Sequence, residues 1–182
     1  TQLLEKIPYQ EAIELAFYGA SVIHPKTLQP LQKMNIPLNV RSFLHPEQPG
    51  SSVCDVKELT PKVPCYIRKQ NQHLLSLSSL DFSFIAEENI SFIFNLLATY
   101  QIKVSLLQNS AISFNLCIED KYKNLPLLLE DLSKRFKVSC IEGVTLYTVR
   151  HALPDSFNFL SDDIEVLLEQ YALHTQQKIV RQ

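Results

Sequence analysis

The sequence is poor in glycine, and this scarcity limits the kinds of site that the chain can carry. Only Gly19, Gly50 and Gly143 occur among 182 residues, and they lie far apart. Phosphate-binding loops of nucleotide-binding domains place several glycines within a few residues of one another. The sequence therefore argues against a self-contained nucleotide-binding domain on this chain.

Paired metal ligands are also missing. The four cysteines include no CxxC pair, and the five histidines are scattered. Zinc sites in proteins use cysteines and histidines at short, repeated spacings, so we predict no metal site. Cys117 and Cys140 lie in apolar, strand-like runs, where cysteine behaves as a small hydrophobe. We expect free thiols and a reducing, cytoplasmic setting.

Long apolar runs and a strong charge of one sign are absent as well. No run approaches the roughly 18–20 apolar residues that a membrane span needs. The amino terminus lacks the basic-then-apolar pattern of a secretory signal. The net charge is −2 with a pI near 6.2, which argues against a nucleic-acid partner. No nucleophile–base pair stands out, so we assign no catalytic residue.

The first third of the chain reads as two helices and a strand. Apolar spacing predicts a helix over 8–19, and Pro25 starts a second helix that Asn35 ends. Alternation predicts a strand over 36–43. No partner for this strand is evident, so we expect its partners before residue 1, in an α/β domain of which this is a piece. The proline-rich stretch 44–64 is typical of a connector.

The remainder alternates strands and helices. The predicted order is strand, helix, strand, strand, helix, strand, which is the split βαβ pattern. The ranges are 73–80, 88–101, 102–107, 112–118, 124–136 and 137–143. A further strand over 144–151, helical turns over 154–160, and a hairpin of 163–170 with 174–181 predict a second, reduced unit.

Several of these segments resemble the aspartate kinase family. The stretches AIELAFYGASVIHPKTLQPL, NIPLNVRSF and HPEQPGS resemble the end of the family's catalytic domain. IRKQNQHLLSLSSLDF and IKVSLLQNSAISFNLCIE resemble strands of its first effector-binding unit, and GVTLYTVRH with VLLEQYALHTQQKIV resembles the second. The motifs occur in the family's order and at its spacing, over almost the whole chain.

The resemblance implies an α+β fold made of tandem ACT-like, ferredoxin-like βαββαβ units, the second reduced. A helix-helix-strand remnant of an α/β kinase domain precedes them. The implied division is a kinase remnant over 1–56, a linker over 57–64, a first ACT domain over 65–143 and a reduced second ACT unit over 144–182.

The resemblance also implies a function. Aspartate kinases transfer the γ-phosphoryl group of ATP to L-aspartate, and their ACT domains pair as homodimers and bind end-product amino acids. The family's lysine-phenylalanine-glycine-glycine motif has no counterpart here, so we expect this chain alone to be inactive and to hold no cofactor, ATP and magnesium belonging to the full-length enzyme. Ser21 stands where many members carry a phosphate-binding lysine, which leaves Ser21 and Val22 as weak nucleotide-binding positions.

The effector site is expected around the loop between the strands 102–107 and 112–118. Its candidate residues are Asn89, Ile90, Val104, Ser105, Gln108, Asn109 and Ser110. Val104 and Ser110 match the family, whereas lysine-sensitive members carry an aspartate at the position of Ser105. Since that aspartate meets the ammonium of the effector, we expect threonine to be favoured over lysine, or sensitivity to be lost.

Two other interpretations stay open at this point. One is a free-standing ACT module that binds an amino acid without any kinase, and the segment 11–43 argues against it. The other is a regulatory subunit made separately. The loop itself also has the composition of an ordinary turn, because asparagine and serine hydrogen-bond to their own backbone.

Overall fold

The computed structural model describes residues 2–20, 22–81, 84–161 and 163–181. The chain divides into two compact units. Unit 1 comprises residues 1–68, 148–160 and 170–177, and unit 2 comprises residues 69–147, 161–169 and 178–182. The boundaries predicted after residues 56, 64 and 143 stay predictions.

The opening segment of unit 1 is a small three-stranded sheet with two helices. Its elements are β1 (Lys6–Pro8), α1 (Tyr9–Tyr18), α2 (Pro25–Lys33), β2 (Leu38–Val40) and β3 (Ser51–Cys54). The strand order is β1-β3-β2, in which β3 runs parallel to β1 and antiparallel to β2. Both predicted helices are confirmed.

The helix ends follow from local chemistry. Gly19 has φ 122°, a left-handed conformation that only glycine adopts without strain, and it ends α1. The side chain of His24 accepts a hydrogen bond from the backbone N–H of Lys26 at 3.2 Å, which caps α2, and Pro25 occupies the first helical position.

The prediction that the strand over 36–43 has no partner in this chain is wrong. Val53 of β3 pairs with Leu38 of β2 and with Ile7 of β1. β3 lies inside the stretch that its prolines mark as a connector, and it is only four residues long. A Cβ on Gly50 would lie 2.1 Å from the carbonyl oxygen of Val40, so a glycine is required where the chain approaches β2.

These elements enclose a small core of their own. Its buried members are Ile7, Tyr9, Ala12, Leu28, Val53 and Leu59. Tyr9 also donates a hydrogen bond from its hydroxyl to the carbonyl oxygen of Ile36, at 2.6 Å. An apolar groove of about 200 Å³ stays open beside this core, lined by side chains that include Leu15, Ala16 and Ile23.

The remaining strands form a six-stranded sheet with two helices. The elements are β4 (Cys65–Ser79), α3 (Glu87–Thr99), β5 (Lys103–Asn109), β6 (Ser113–Glu119), α4 (Leu125–Ser133), β7 (Phe136–Arg150), β8 (Glu165–Ala172) and β9 (Thr175–Arg181). The strand order is β5-β6-β4-β7-β9-β8. The predicted α+β class is confirmed.

Two clusters of apolar side chains cover opposite faces of the sheet in unit 2. The cluster under α3 and α4 contains Leu75, Leu77, Ile93, Leu97, Phe114, Leu116, Ile118, Leu128 and Leu132 among its buried members. The cluster on the other face contains Leu74, Leu106, Cys117, Val144, Leu146 and Ile179. Alternation along β4 and β6 produces this division, because successive side chains point to opposite faces.

Two details of the sequence interpretation differ from the structure. The strands predicted over 137–143 and 144–151 are one strand, β7, which continues through Gly143 at φ 71°. The stretch 154–160 forms consecutive turns with hydrogen bonds three residues apart, such as Ser156 N–H to Leu153 O, and contains no helix. The predicted carboxy-terminal hairpin is β8 and β9, which are neighbours in the sheet.

Within the described ranges, no helix is long and apolar enough to cross a membrane. Among the same residues, no group of three histidine, cysteine or acidic side chains could hold a metal ion. All four cysteines are free thiols. Burial raises the pKa of Cys117 to about 12, so its thiol stays protonated at neutral pH.

Candidate functional site

A row of polar side chains crosses three strands on the sheet face opposite the helices. Ser76 donates from its hydroxyl to Oδ1 of Asn115 at 2.7 Å, and Nδ2 of Asn115 donates to Oε1 of Gln108 at 2.8 Å. The register explains the row, because Asn115 of β6 pairs with Ser76 of β4 and with Gln108 of β5. Gln108, a predicted effector residue, is therefore held by a side-chain network.

Ser110 closes the turn between β5 and β6. Its backbone N–H donates to the carbonyl oxygen of Ser113 at 2.8 Å, and its hydroxyl accepts from the N–H of Ser113 at 3.1 Å. Ala111 accepts a hydrogen bond from the N–H of Ile85, which ties the loop before α3 to this turn. Ser110 thus shapes the turn, and the exposed Asn109 ends β5 beside it.

Ser105 lies at a bulge in β5, where the register against β6 shifts. It is 9% exposed and donates to Oε1 of Gln72 at 3.0 Å. The ammonium of Lys69 donates to the hydroxyl of Ser105 at 3.4 Å. Burial first, and then the nearby charge of Lys103, lower the pKa of Lys69. A cation of the protein therefore already lies against Ser105.

The other predicted residues lie elsewhere. Val104 and Ile90 pack against the core under the helices, on the face opposite Gln108. The N–H groups of Asn89 and Ile90 both donate to the carbonyl oxygen of Ala86, at 2.9 and 3.1 Å. These two groups are therefore already used by the first turn of α3, and the seven predicted residues do not form one pocket.

A cavity of about 370 Å³ in unit 2 was not predicted from the sequence. It is lined by Ser78, Ser79, Leu80, Ile112 and Lys137. Ser78 pairs in register with Ser113, so the cavity adjoins the β5–β6 turn that the sequence singled out. The cavity offers hydroxyls, a cation and apolar side chains, which together suit a small zwitterion with a short side chain.

The comparisons with known proteins agree on one family. The chain is 34% identical over 155 residues to lysine-sensitive aspartokinase 3 of Escherichia coli, covering 79% of this chain and 33% of that protein. It is 26% identical over 147 residues to bifunctional aspartokinase/homoserine dehydrogenase 2 of Arabidopsis thaliana, covering 78% of this chain and 16% of that protein. No protein-family model matches the chain.

Solved structures give the same answer. The E. coli aspartokinase III complex with lysine and aspartate superposes with a TM-score of 0.76 at 26% identity, over 98% of this chain and 43% of that one. Clostridium acetobutylicum aspartate kinase gives 0.80 at 17% identity, over 98% of this chain and 46% of that one, which supports the fold alone. The chain is homologous to the carboxy-terminal region of aspartokinases.

The predicted family resemblance is thereby confirmed, and the chain spans about a third of the length of the E. coli aspartokinase. Of the two weak nucleotide-binding positions, Ser21 lies outside the described residues. Val22 is 76% exposed and borders the apolar groove of unit 1. Its assignment in this aspartokinase homologue stays a prediction.

Sequence reasoning missed Lys69, Gln72 and Lys137. Nothing in the local pattern marks them, because their relevance arises from what they face across the sheet or the cavity. Lys69 and Gln72 lie on β4 and reach Ser105 on β5. These three residues come close together through the strand order of this aspartokinase homologue, in which β6 lies between β4 and β5.

Proposed function

We propose that the chain is the effector-sensing region of an aspartokinase, and that it binds an end-product amino acid in unit 2. The observation that carries this proposal is the cavity beside the β5–β6 turn in a chain homologous to the carboxy-terminal region of aspartokinases. The whole protein would convert ATP and L-aspartate to 4-phospho-L-aspartate, with magnesium, in the cytoplasm.

The cavity lining suits the two ends of an amino acid. The exposed ammonium of Lys137 can bind a carboxylate, and the hydroxyls of Ser78 and Ser79 can accept from an ammonium. Leu80 and Ile112 offer apolar surface to a short side chain. A volume near 370 Å³ is at the small end of the range for ligand pockets, as an amino acid requires.

The charge of the cavity lining favours threonine over lysine as the effector. The lining side chains Ser78, Ser79, Leu80, Ile112 and Lys137 include one ammonium and no carboxylate. A second ammonium, that of free L-lysine, would meet repulsion from Lys137 and no opposite charge there. Threonine carries a hydroxyl instead, which adds no charge.

Calorimetric titration of the purified chain with L-threonine, L-lysine and L-methionine tests the proposal. We expect saturable heat with threonine, and a loss of affinity of about tenfold or more in Lys137→Met, because one charge-assisted hydrogen bond is removed. Lys121→Met, which removes an exposed lysine of the same unit, is the matched control. Submillimolar binding of lysine, with no binding of threonine, would refute the assignment of the effector.

A second variant tests whether the effector binds at Ser105 instead of in the cavity. Ser105→Asp places a carboxylate against Lys69, at a residue that does not line the cavity. We expect this variant to bind threonine and lysine as the parent chain does, because the cavity lining is unchanged. A gain of lysine binding would place the effector at the bulge of β5 and contradict the cavity assignment.

A further inference from the structure

Unit 1 contains a buried ion pair between α1 and the end of β7. Nε and Nη2 of Arg150 donate to the two carboxylate oxygens of Glu11, at 3.2 and 2.6 Å. Nη1 donates to the hydroxyl of Thr175 at 2.7 Å. Each of the three guanidinium nitrogens thus has a protein acceptor, and the charge of Glu11 is neutralised by its partner.

A cavity of about 300 Å³ opens over this pair. Glu11 and Arg150 line it together with His151, His174, Lys57 and Lys62. The rings of His151 and His174 are stacked, with centroids 6.2 Å apart and planes 23° from parallel. Two lysines and two histidines therefore surround the Glu11–Arg150 ion pair, which carries no net charge.

Some polar and charged groups of this cavity have no hydrogen-bond or ion-pair partner among the described residues. Nε2 of His151 is buried and forms no hydrogen bond among the described residues, although it lies 3.2 Å from Oε1 of Glu11. Lys57 takes part in none of the ion pairs found in the described ranges. Lys62 has an exposed partner, Glu58, at 3.8 Å, and such pairs contribute little.

The charge balance selects the sign of a ligand. Three cations and two carboxylates line the cavity, and each carboxylate has a cationic partner. Lys57 and the exposed imidazole of His174 remain for a ligand, and both can donate hydrogen bonds, while Nε2 of His151 faces Glu11. A cationic ligand would find no unpaired carboxylate in the cavity. An anionic ligand would find hydrogen-bond donors both at Lys57 and at the imidazole of His174.

We propose that this cavity binds a small anion with a carboxylate or phosphate group, held by Lys57 and by His174, whose ring is stacked on that of His151. The site lies wholly in unit 1, shares no residue with the cavity beside the β5–β6 turn, and does not depend on that assignment. Its volume of about 300 Å³ suits a small metabolite.

The test is titration of the whole chain with inorganic phosphate and, separately, with succinate at constant ionic strength. Imidazole ¹H–¹⁵N NMR signals of His151 and His174 report binding. We expect saturable shifts and, in Lys57→Met, an affinity lower by about tenfold or more. Lys33→Met removes an exposed lysine on α2, away from the cavity, and is expected to leave the affinity unchanged.

The outcomes separate the two sources of anion. Shifts with phosphate alone assign a phosphorylated ligand, and shifts with succinate alone assign a carboxylate. His174→Asn, at an exposed position, is expected to weaken binding with no change in melting temperature. Absence of a saturable shift with both anions, or equal weakening in Lys57→Met and Lys33→Met, overturns the proposal.

Discussion

The carboxylate of Glu11 joins two segments of unit 1 that lie 139 positions apart in the sequence. Its side chain is 8% exposed and that of Arg150 is 15% exposed. In Glu11→Gln the guanidinium would remain buried without its counter-charge. Removal of one partner of a buried ion pair costs about 3–5 kcal/mol, so we expect a loss of this order in the free energy of unfolding, measured by urea denaturation.

Glu47→Gln is the matched control for this experiment. Glu47 forms an ion pair with His45 at 3.5 Å, and its side chain is 68% exposed. Exposed pairs contribute about 0–1 kcal/mol, so the control should unfold close to the parent chain. Equal losses of unfolding free energy in the two variants would show that the Glu11–Arg150 pair stabilises the fold no more than an exposed ion pair does.

The thiols allow a second prediction for single residues. Burial raises the pKa of Cys117 to about 12. Burial is also the largest cause that raises the pKa of Cys140 to about 11. The thiolate is the reactive form. We expect alkylation by iodoacetamide at neutral pH to spare both residues in the folded chain, as read by mass spectrometry. Alkylation of Cys117 at the rate found after denaturation would contradict this.

Only some residues of the candidate site could be predicted from the sequence. Ser105 and Gln108 could be named because they fall at effector positions of the family, Ser105 in place of an aspartate, and the structure shows both in side-chain hydrogen bonds. Lys137 and Lys69 could not be named, since an isolated lysine at a strand is ordinarily a solvated surface charge. Their neighbours come from other strands, and no local pattern encodes that proximity.

At the scale of elements, α4 is linked to the end of α3 through Asp131. Tyr100 donates a hydrogen bond from its hydroxyl to this carboxylate, and Lys134 donates another at 2.6 Å. The bond from Lys134, followed by that from Tyr100, lowers the pKa of Asp131 below its ordinary value of 3.8. The folded state therefore favours the ionised carboxylate.

The sign of the resulting pH dependence follows from linkage. A carboxyl whose pKa is lower in the folded state stabilises the fold above its unfolded pKa, and this stability is lost as the pH falls through the folded pKa. We expect Asp131→Asn to melt below the parent chain at neutral pH, and the gap to close as the pH falls below 3.8. Glu130→Gln, at an exposed neighbouring position, is the control, and a gap independent of pH would disprove the link.

Helices were easier to predict than short strands. Sequence patterns located the four helices of the described ranges: α2 from Pro25 at its start and Asn35 at its end, and helices such as α1 and α3 from apolar spacing, because a helix buries one stripe of its surface. β1 and β3 escaped prediction since they are three and four residues long, too short for alternation to be visible. Gly143 suggested a break that β7 does not make, because a single left-handed residue is accommodated within the strand.

For the whole molecule, the first prediction concerns catalysis. The chain covers 33% of the E. coli aspartokinase and has no glycine-rich phosphate loop. Phosphoryl transfer requires a complete set of positioned charges. We therefore expect the purified chain to show no ATP- and aspartate-dependent phosphate transfer in a coupled assay, while it still binds its effector by calorimetry. Turnover above that of a heat-denatured sample would defeat the prediction.

The second prediction for the whole molecule concerns assembly. β5 is an edge strand of the six-stranded sheet, and its last three residues, Leu107, Gln108 and Asn109, are exposed. An edge strand presents unpaired backbone groups that a second copy can pair with. We propose a homodimer through this edge, which sedimentation would show as twice the 20.9 kDa chain.

A charged substitution on β5 distinguishes a dimer formed through this edge strand from one formed through another surface. Leu107→Lys places an ammonium on β5, where added lysine blocks edge pairing, so we expect this variant to sediment as a monomer. Leu127→Lys puts the same charge on an exposed position of α4 and should leave the dimer intact. A parent chain that stays monomeric at high micromolar concentration contradicts the homodimer. A dimer that survives Leu107→Lys would instead place the contact on another surface.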